Sequence, residues 1–276
     1  FLGQMGSQLA EALLDVPESD CSRVDIWVDL ERSPSGANWL LDRWGRVFEA
    51  LQPAGRRLEM KKWSRPGLAR DMLVDSQGGC WILYDDGYVE SWHAANSGLL
   101  KAVEAYNQAP LAHATDLEWT AGEEGIYVVS SWGPVQVIGE QSVDLKEAGR
   151  WRWYSDMAIG MKAGSEGKSV YLLDRLGGIH LSGDSIVDLS KRGAPYFTGP
   201  GWVCDMEWSL SGEGFYFLDA LGGIHTVGRV NDLPEKGILP YYDQPGRVVD
   251  FEVGENHVFV LSCNGKVYQA GLTPVE

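Results

Sequence analysis

Six times along the chain a short apolar run meets a glycine turn and resumes: NWLLDRWGRVF, CWILYDDGYVESW, IYVVSSWGPVQVIG, VYLLDRLGGIHLSG, FYFLDALGGIHTVG and VFVLSCNGKVYQAG. The turn glycines are Gly45, Gly87, Gly133, Gly177, Gly222 and Gly265, separated by 42, 46, 44, 45 and 43 residues. A unit of this size made of short strands cannot bury its apolar face alone and must stack on its neighbours. The period therefore predicts an all-β fold, a six-bladed β-propeller of about 44-residue four-stranded blades. VYLLD and FYFLD are too short for helices and too continuously apolar for a half-exposed strand, which predicts strands buried on both faces.

An aspartate opens an apolar run upstream of each glycine: Asp25 (DIWVD), Asp71 (DMLVD), Asp116 (DLEWT), Asp156 (DMAIG), Asp205 (DMEWS) and Asp250 (DFEVG). Blades cut at these markers span 25–70, 71–115, 116–155, 156–204, 205–249 and 250–276, in one domain covering 1–276. The Pro/Gly-bearing connections, such as APYFTGPGWVC and LPYYDQPGRVV, are expected to hold the fourth strands. The last unit lacks such a connection, so residues 1–24 are expected to complete the last blade and close the ring, because an open edge invites aggregation. Residues 7–14 (SQLAEALL) predict a helix behind a Ser7 cap.

At these residues the chain resembles bacterial β-propeller repeats reading Y-x-L-D-x-x-G-G-I-H-x-x-G, then P-Y-F/W and a later D-x-x-x. The matching stretches are YLLDRLGGIHLSG at 171–183, APYFTGPGWVCDMEW at 194–208 and FYFLDALGGIHTVG at 215–228. The likeness is close in units four and five, weaker in one and six and loose in two and three. Such repeats belong to large secreted or surface-associated bacterial proteins, and the resemblance implies no single activity. The GH…WD, YWTD and S-x-D-x-G-x-T-W signatures of other propeller classes are absent.

The 276 residues carry 23 basic and 39 acidic side chains, a net charge of −16. Without a basic cluster the chain is not expected to bind nucleic acid or an anionic membrane surface. No run approaches the ~20 apolar residues that would insert in a bilayer. The chain begins with Phe1 and lacks the charged and apolar blocks of a signal peptide, so it is expected to be a processed protein or a piece of a longer one. A secreted, periplasmic or cell-surface location is the expectation that follows from the resemblance.

Closure would bring the carboxylates of Asp25, Asp71, Asp116, Asp156, Asp205 and Asp250 towards one mouth of a central channel. They would form a cation or polar-ligand site, or accept backbone N–H groups and order each strand start. The second reading is favoured, because a residue repeated in every unit serves what every unit needs. Asp42, Asp174 and Asp219 stand three residues before turn glycines and read as turn-forming aspartates. His180 and His225 occupy one repeat position, without a Cys, His or Asp partner at ligand spacing, and no metal or cofactor is expected.

The four cysteines have no C-x-x-C spacing. Cys21 precedes the first inner strand and Cys263 lies in the hairpin of the last unit, so a disulfide between them would staple the ring. Trp44 and Trp132 sit at hairpin tips, and Trp63, Trp151, Trp153 and Trp202 lie in connections. Aromatic loops on a rigid scaffold are contact anchors, or cover the outer strands. The sequence thus predicts a non-enzymatic interaction or scaffold module that binds protein or glycan and can belong to a larger complex. A carbohydrate-active hydrolase or lyase acting through Asp116, Asp156 and Asp205, and a structural subunit of an assembly, are the alternatives.

Overall fold

The computed structural model describes residues 27–50, 68–140, 143, 145, 151–164, 166–184, 187, 197, 202–230, 239, 241–243 and 245–272. They form six separate three-stranded antiparallel sheets, each a meander with its strands in chain order. Sheet one holds β1 (Trp27–Arg32), β2 (Asn38–Asp42) and β3 (Val47–Ala50). Sheet two holds β4 (Ala69–Val74), β5 (Cys80–Tyr84) and β6 (Val89–Trp92), and sheet three β7 (Ala114–Trp119), β8 (Gly125–Ser130) and β9 (Val135–Gly139). Sheet four holds β10 (Ala158–Ala163), β11 (Ser169–Asp174) and β12 (Ile179–Gly183), and sheet five β13 (Val203–Trp208), β14 (Gly214–Asp219) and β15 (Ile224–Gly228). Sheet six holds β16 (Val248–Gly254), β17 (His257–Ser262) and β18 (Val267–Gly271).

The expected four-stranded propeller blades and the ring closed by an added N-terminal strand are therefore overturned. Each sheet has three strands among the described residues, and no sheet closes on itself. The connection assigned to the fourth strand of unit two instead folds as helix α1 (Ser97–Tyr106). Leu99 and Val103 fall on one face of it and pack into the core, and Asn96 caps its start by accepting N–H bonds from Gly98 and Leu99. Residues 1–24, including the predicted helix at 7–14, lie outside the described residues.

The sheets are arranged cyclically through their first strands, which touch in the order β1, β4, β7, β10, β13, β16 and back to β1. The core is correspondingly divided into six apolar clusters, one between each adjacent pair of sheets. Trp27, Leu30 and Leu40 of sheet one meet Phe259 and Leu261 of sheet six, so side-chain packing joins the last sheet to the first. The middle strands β2, β5, β8, β11 and β14 are buried at every residue, which explains their continuous apolar runs. All six turn glycines have φ between 76° and 101°, a conformation that a side chain disfavours.

The loops leading into first strands and the hairpins joining second to third strands share one face, here called upper. Backbone bonds stitch them together, as Ala158 N–H donates to Ser131 O at 2.9 Å and Cys263 N–H to Arg247 O at 3.0 Å. Leu172 and Leu261 are both fully buried, the first between sheets three and four and the second between six and one. Leu261→Ala is expected to cost about 2–5 kcal/mol, as much as Leu172→Ala. Urea denaturation checks this; a much smaller loss at Leu261 would mean that the sheet-one to sheet-six contact does not hold the fold together.

Candidate functional site

Each first strand slips register at the same place. The shift lies between Trp27 and Asp29, Ala69 and Asp71, Ala114 and Asp116, Ala158 and Gly160, Val203 and Asp205, and Val248 and Asp250. A bulge of this kind bends a strand and re-aims the side chain that follows it. Asp29, Asp71, Asp116, Asp205 and Asp250 consequently line one central cavity of about 570 Å³. Glycine holds the sixth position, at Gly160.

Two residues further along each strand, on the same side by strand alternation, lies a second tier: Glu31, Leu73, Glu118, Lys162, Glu207 and Glu252, all lining the same cavity. Lys162 is the one cation of this tier, and Arg32 and Arg70 also line the cavity. The Lys162 ammonium bonds Glu207 and lies 3.8 Å from Glu118, and all three side chains are mostly buried.

The upper carboxylates reach across to the next sheet. Asp250 Oδ2 accepts the Leu30 N–H at 2.7 Å, Asp116 Oδ2 accepts that of Met161 at 2.9 Å, and Asp71 Oδ2 accepts that of Leu117. In the lower tier Glu118 Oε1 accepts the Ala163 N–H at 3.3 Å. Asp250 also neighbours Asp205 and Asp29 closely enough for these carboxyls to shift one another's protonation.

Burial sets the protonation of the whole group. It pushes Asp71, Glu118 and Glu207 up to about 7, and the neighbouring carboxylates add to it by repulsion. Asp29, Glu31, Asp116, Asp205, Asp250 and Glu252 are driven well above the usual carboxylate range by the same burial. Burial opposes the Lys162 charge too, but Glu207 and Glu118 outweigh it and hold its pKa well above the ordinary lysine value.

The structure thus brings together Asp71, Asp116, Asp205 and Asp250 of the expected ring and corrects another member. Asp156 lies in an exposed turn before β10, because the bulge places Gly160 at the ring position of sheet four. The Asp156 carboxylate instead accepts the Ser131 hydroxyl at 2.7 Å and the Trp132 indole N–H at 3.0 Å. The Ser131 bond is the main cause of a lowered Asp156 pKa. Asp25 lies outside the described residues, and Asp29 holds the ring position of sheet one. Asp29, Lys162 and the glutamate tier were missed; the D-x-E spacing of DLE at 29–31, 116–118 and DME at 205–207 was their signal.

The turn aspartates are committed to their hairpins. Asp174 Oδ1 accepts from Leu176 and Gly178, and Asp219 Oδ1 from Leu221 and Gly223, while their Oδ2 atoms meet His180 at 2.8 Å and His225 at 2.7 Å. Each histidine then touches aromatic residues leading into its own sheet: Trp153 and Trp151 for His180, Phe197 for His225. No three His, Cys, Asp or Glu side chains among the described residues converge closely enough to hold a metal ion.

On the upper face Trp44, Trp132 and Trp202 are 45%, 41% and 38% exposed, with Tyr154 and Tyr241 still more open. Each tryptophan is braced. The Arg46 guanidinium lies 5.2 Å from the Trp44 ring, Trp132 stacks on His113 at 4.3 Å, and Trp202 stacks on Phe197. Trp151 and Trp153 are half-buried, and a Cβ at Gly133 would collide with both, 2.6 Å from the Trp151 carbonyl and 2.8 Å from the Trp153 ring. They pack over that hairpin rather than standing free. Trp63 lies outside the described residues. Cys263 is disulfide-bonded, Cys80 and Cys204 are free, and Cys21 lies outside the described residues.

No protein-family model matches the chain. No curated protein matches it by sequence. Among solved structures it is similar to the extracellular domain of BT4673 from B. thetaiotaomicron, described as a hybrid two component system. The TM-score is 0.51 and the identity 7%, over 91% of this chain and 38% of that one. A second structure of the BT4673 extracellular domain, there described as a one component system, gives a TM-score of 0.47 at 11% identity, over 95% and 43%. At such identities the likeness is one of fold, and the chain spans well under half the length of those domains. No helix among the described residues is long and apolar enough to cross a membrane.

Two outcomes follow from the carboxylate tiers. Asp71, Glu118 and Glu207 titrate near 7 when folded, whereas unfolded carboxyls titrate near ~4. The folded protein therefore holds protons through that window that the unfolded chain has lost, and stability falls as pH rises through about 7. Thermal unfolding is expected at a higher temperature near pH 5 than near pH 8, with a flatter profile in Asp71→Asn; an unchanged profile in that variant would refute the assignment. Lys162→Met strands Glu118 and Glu207 and is expected to cost about 3 kcal/mol at neutral pH and less in acid, measured by urea denaturation at both.

Proposed function

We propose that this chain is a non-enzymatic extracellular interaction module that docks a protein or glycan on its upper face. The observation that carries this reading is the distribution of exposed rings. Of six large apolar side chains exposed among the described residues, Trp44, Trp132, Tyr154, Trp202 and Tyr241 all belong to upper-face loops, and only Leu210 does not. Braced indoles lose little freedom on contact, which is why tryptophan recurs among dominant binding residues.

The groups best suited to catalysis are already employed in the fold. His180 and His225 are tied to turn aspartates, Asp116 clasps the next sheet, and Asp156 holds Trp132. The three carboxylates of the hydrolase reading are accordingly divided between the cavity and an upper-face loop. The fold-level likeness to an extracellular domain and the resemblance of 171–183 and 215–228 to repeats of secreted or surface-associated bacterial proteins support the location.

The test is a glycan array together with capture of partners from surface extracts. The triple variant Trp44→Ala, Trp132→Ala, Trp202→Ala is expected to bind at least about tenfold more weakly, since one dominant contact is worth 2 kcal/mol or more. Its melting temperature should be little changed. Full binding by that variant, with loss on Leu210→Ala instead, would put the docking surface on the opposite face.

A further inference from the structure

The two tiers repeat one arrangement with one part different. In the lower tier, sheets three and five supply Glu118 and Glu207, and sheet four places the Lys162 ammonium with them. In the upper tier the same sheets supply Asp116 and Asp205, and sheet four supplies Gly160, two residues before Lys162 on the same strand. A Cβ at Gly160 would lie 3.7 Å from Asp116 Oδ1 and 3.8 Å from Asp205 Oδ1, so with glycine there no side chain of sheet four stands between these two carboxyls, both of which line the cavity. We infer that the part of the cavity between them receives the ammonium group of a ligand, a free amine or the lysine of a partner, held by two carboxyls as the Lys162 ammonium is one tier below.

Across the same cavity, in sheet one, a further carboxyl lacks a donor. Asp29 is only 7% exposed and lines the same cavity, and its Oδ2 has no hydrogen-bond partner. A buried carboxyl oxygen without a donor is costly to leave so, and an ammonium brings three donors. The cavity, about 570 Å³, has room for a short alkyl amine, in the range of small-ligand sites. A metal ion requires several oxygens drawn close around it, and no such group of three is present among the described residues. An ammonium, with longer bonds and one charge, fits two flanking carboxylates as it does in the Glu118–Lys162–Glu207 clamp.

The test is calorimetry and thermal shift on the whole protein. The probes are putrescine for a free amine and N-acetyl-lysine methylamide for a partner lysine, with calcium chloride at matched ionic strength as the contrast. Either amine is expected to bind and raise the melting temperature more than calcium does. Gly160→Ala fills the space at ordinary contact distances, so it should fold normally and bind the amine at least about tenfold more weakly. Asp205→Asn, which keeps the shape, should weaken binding likewise, and the triple tryptophan variant should bind the amine as the parent does, separating this site from upper-face docking. Absence of amine binding at about 10 mM, equal binding by Gly160→Ala, or a calcium response as large as the amine's would overturn the assignment.

Discussion

The fold depends on how six unpaired strand edges are handled where they converge. Each first strand pairs with its second strand on one side and turns its other edge to the cavity, and a bare edge exposes N–H groups that solicit another strand. Here a carboxylate from the adjacent sheet reaches those groups: Asp250 to Leu30, Asp71 to Leu117, Asp116 to Met161. The bond does three things in one contact. It satisfies a backbone donor, ties one sheet to the next, and fills the edge with inward charge that a foreign strand could not match. Because Asp250 and Leu30 belong to sheets six and one, the same device operates across the closure, beside the apolar seal of Trp27, Leu30 and Leu261.

The device concentrates acid. Five aspartates and four glutamates line one cavity against Lys162, Arg32 and Arg70, more acid than those three cations neutralise. Ionised groups at such spacing in a low-dielectric interior would repel one another by several kcal/mol, so the cavity holds protons instead. The pKa values of the neighbouring carboxyls of Asp205, Asp250 and Asp29 are driven up accordingly. Part of the ring is thus held by neutral acids, and part, around Lys162, by an ion pair. Buried polar groups arranged so contribute more to fixing one geometry than to net stability.

Much of this was legible in the sequence. The continuous apolar runs at 170–174 and 215–219 read as strands buried on both faces, and β11 and β14 are buried throughout. The six glycines read as turn positions, and all six have positive φ. The fourth strand was inferred from connection length, which carries no pairing information, and SGLLKAVEAY at 97–106 shows the helical spacing that was passed over. The one ring member shown elsewhere, Asp156, has a simpler cause. A marker set through Asp25 and Asp156 is spaced unevenly, because DIWVD at 25–29 contains two aspartates and DMAIG at 156–160 begins with one that precedes the bulge. Registering on Asp29 and Gly160 restores the even period, but only a bulge, invisible in composition, says which aspartate turns inward.

Aspartate therefore does three different jobs in this chain, and backbone geometry assigns them. After the bulge it clasps the next sheet, at the head of a hairpin it folds the turn and holds His180 or His225, and before β10 it pins the Trp132 indole. The upper face and the cavity are linked through the third of these, since Asp156 and Gly160 are neighbours on one lead-in and strand. Had the carboxylate of sheet four stayed in the ring, Trp132 would have lost its acceptor and the space between Asp116 and Asp205 would have been filled. One displaced aspartate leaves glycine at the cavity wall of sheet four and gives the upper face a braced indole.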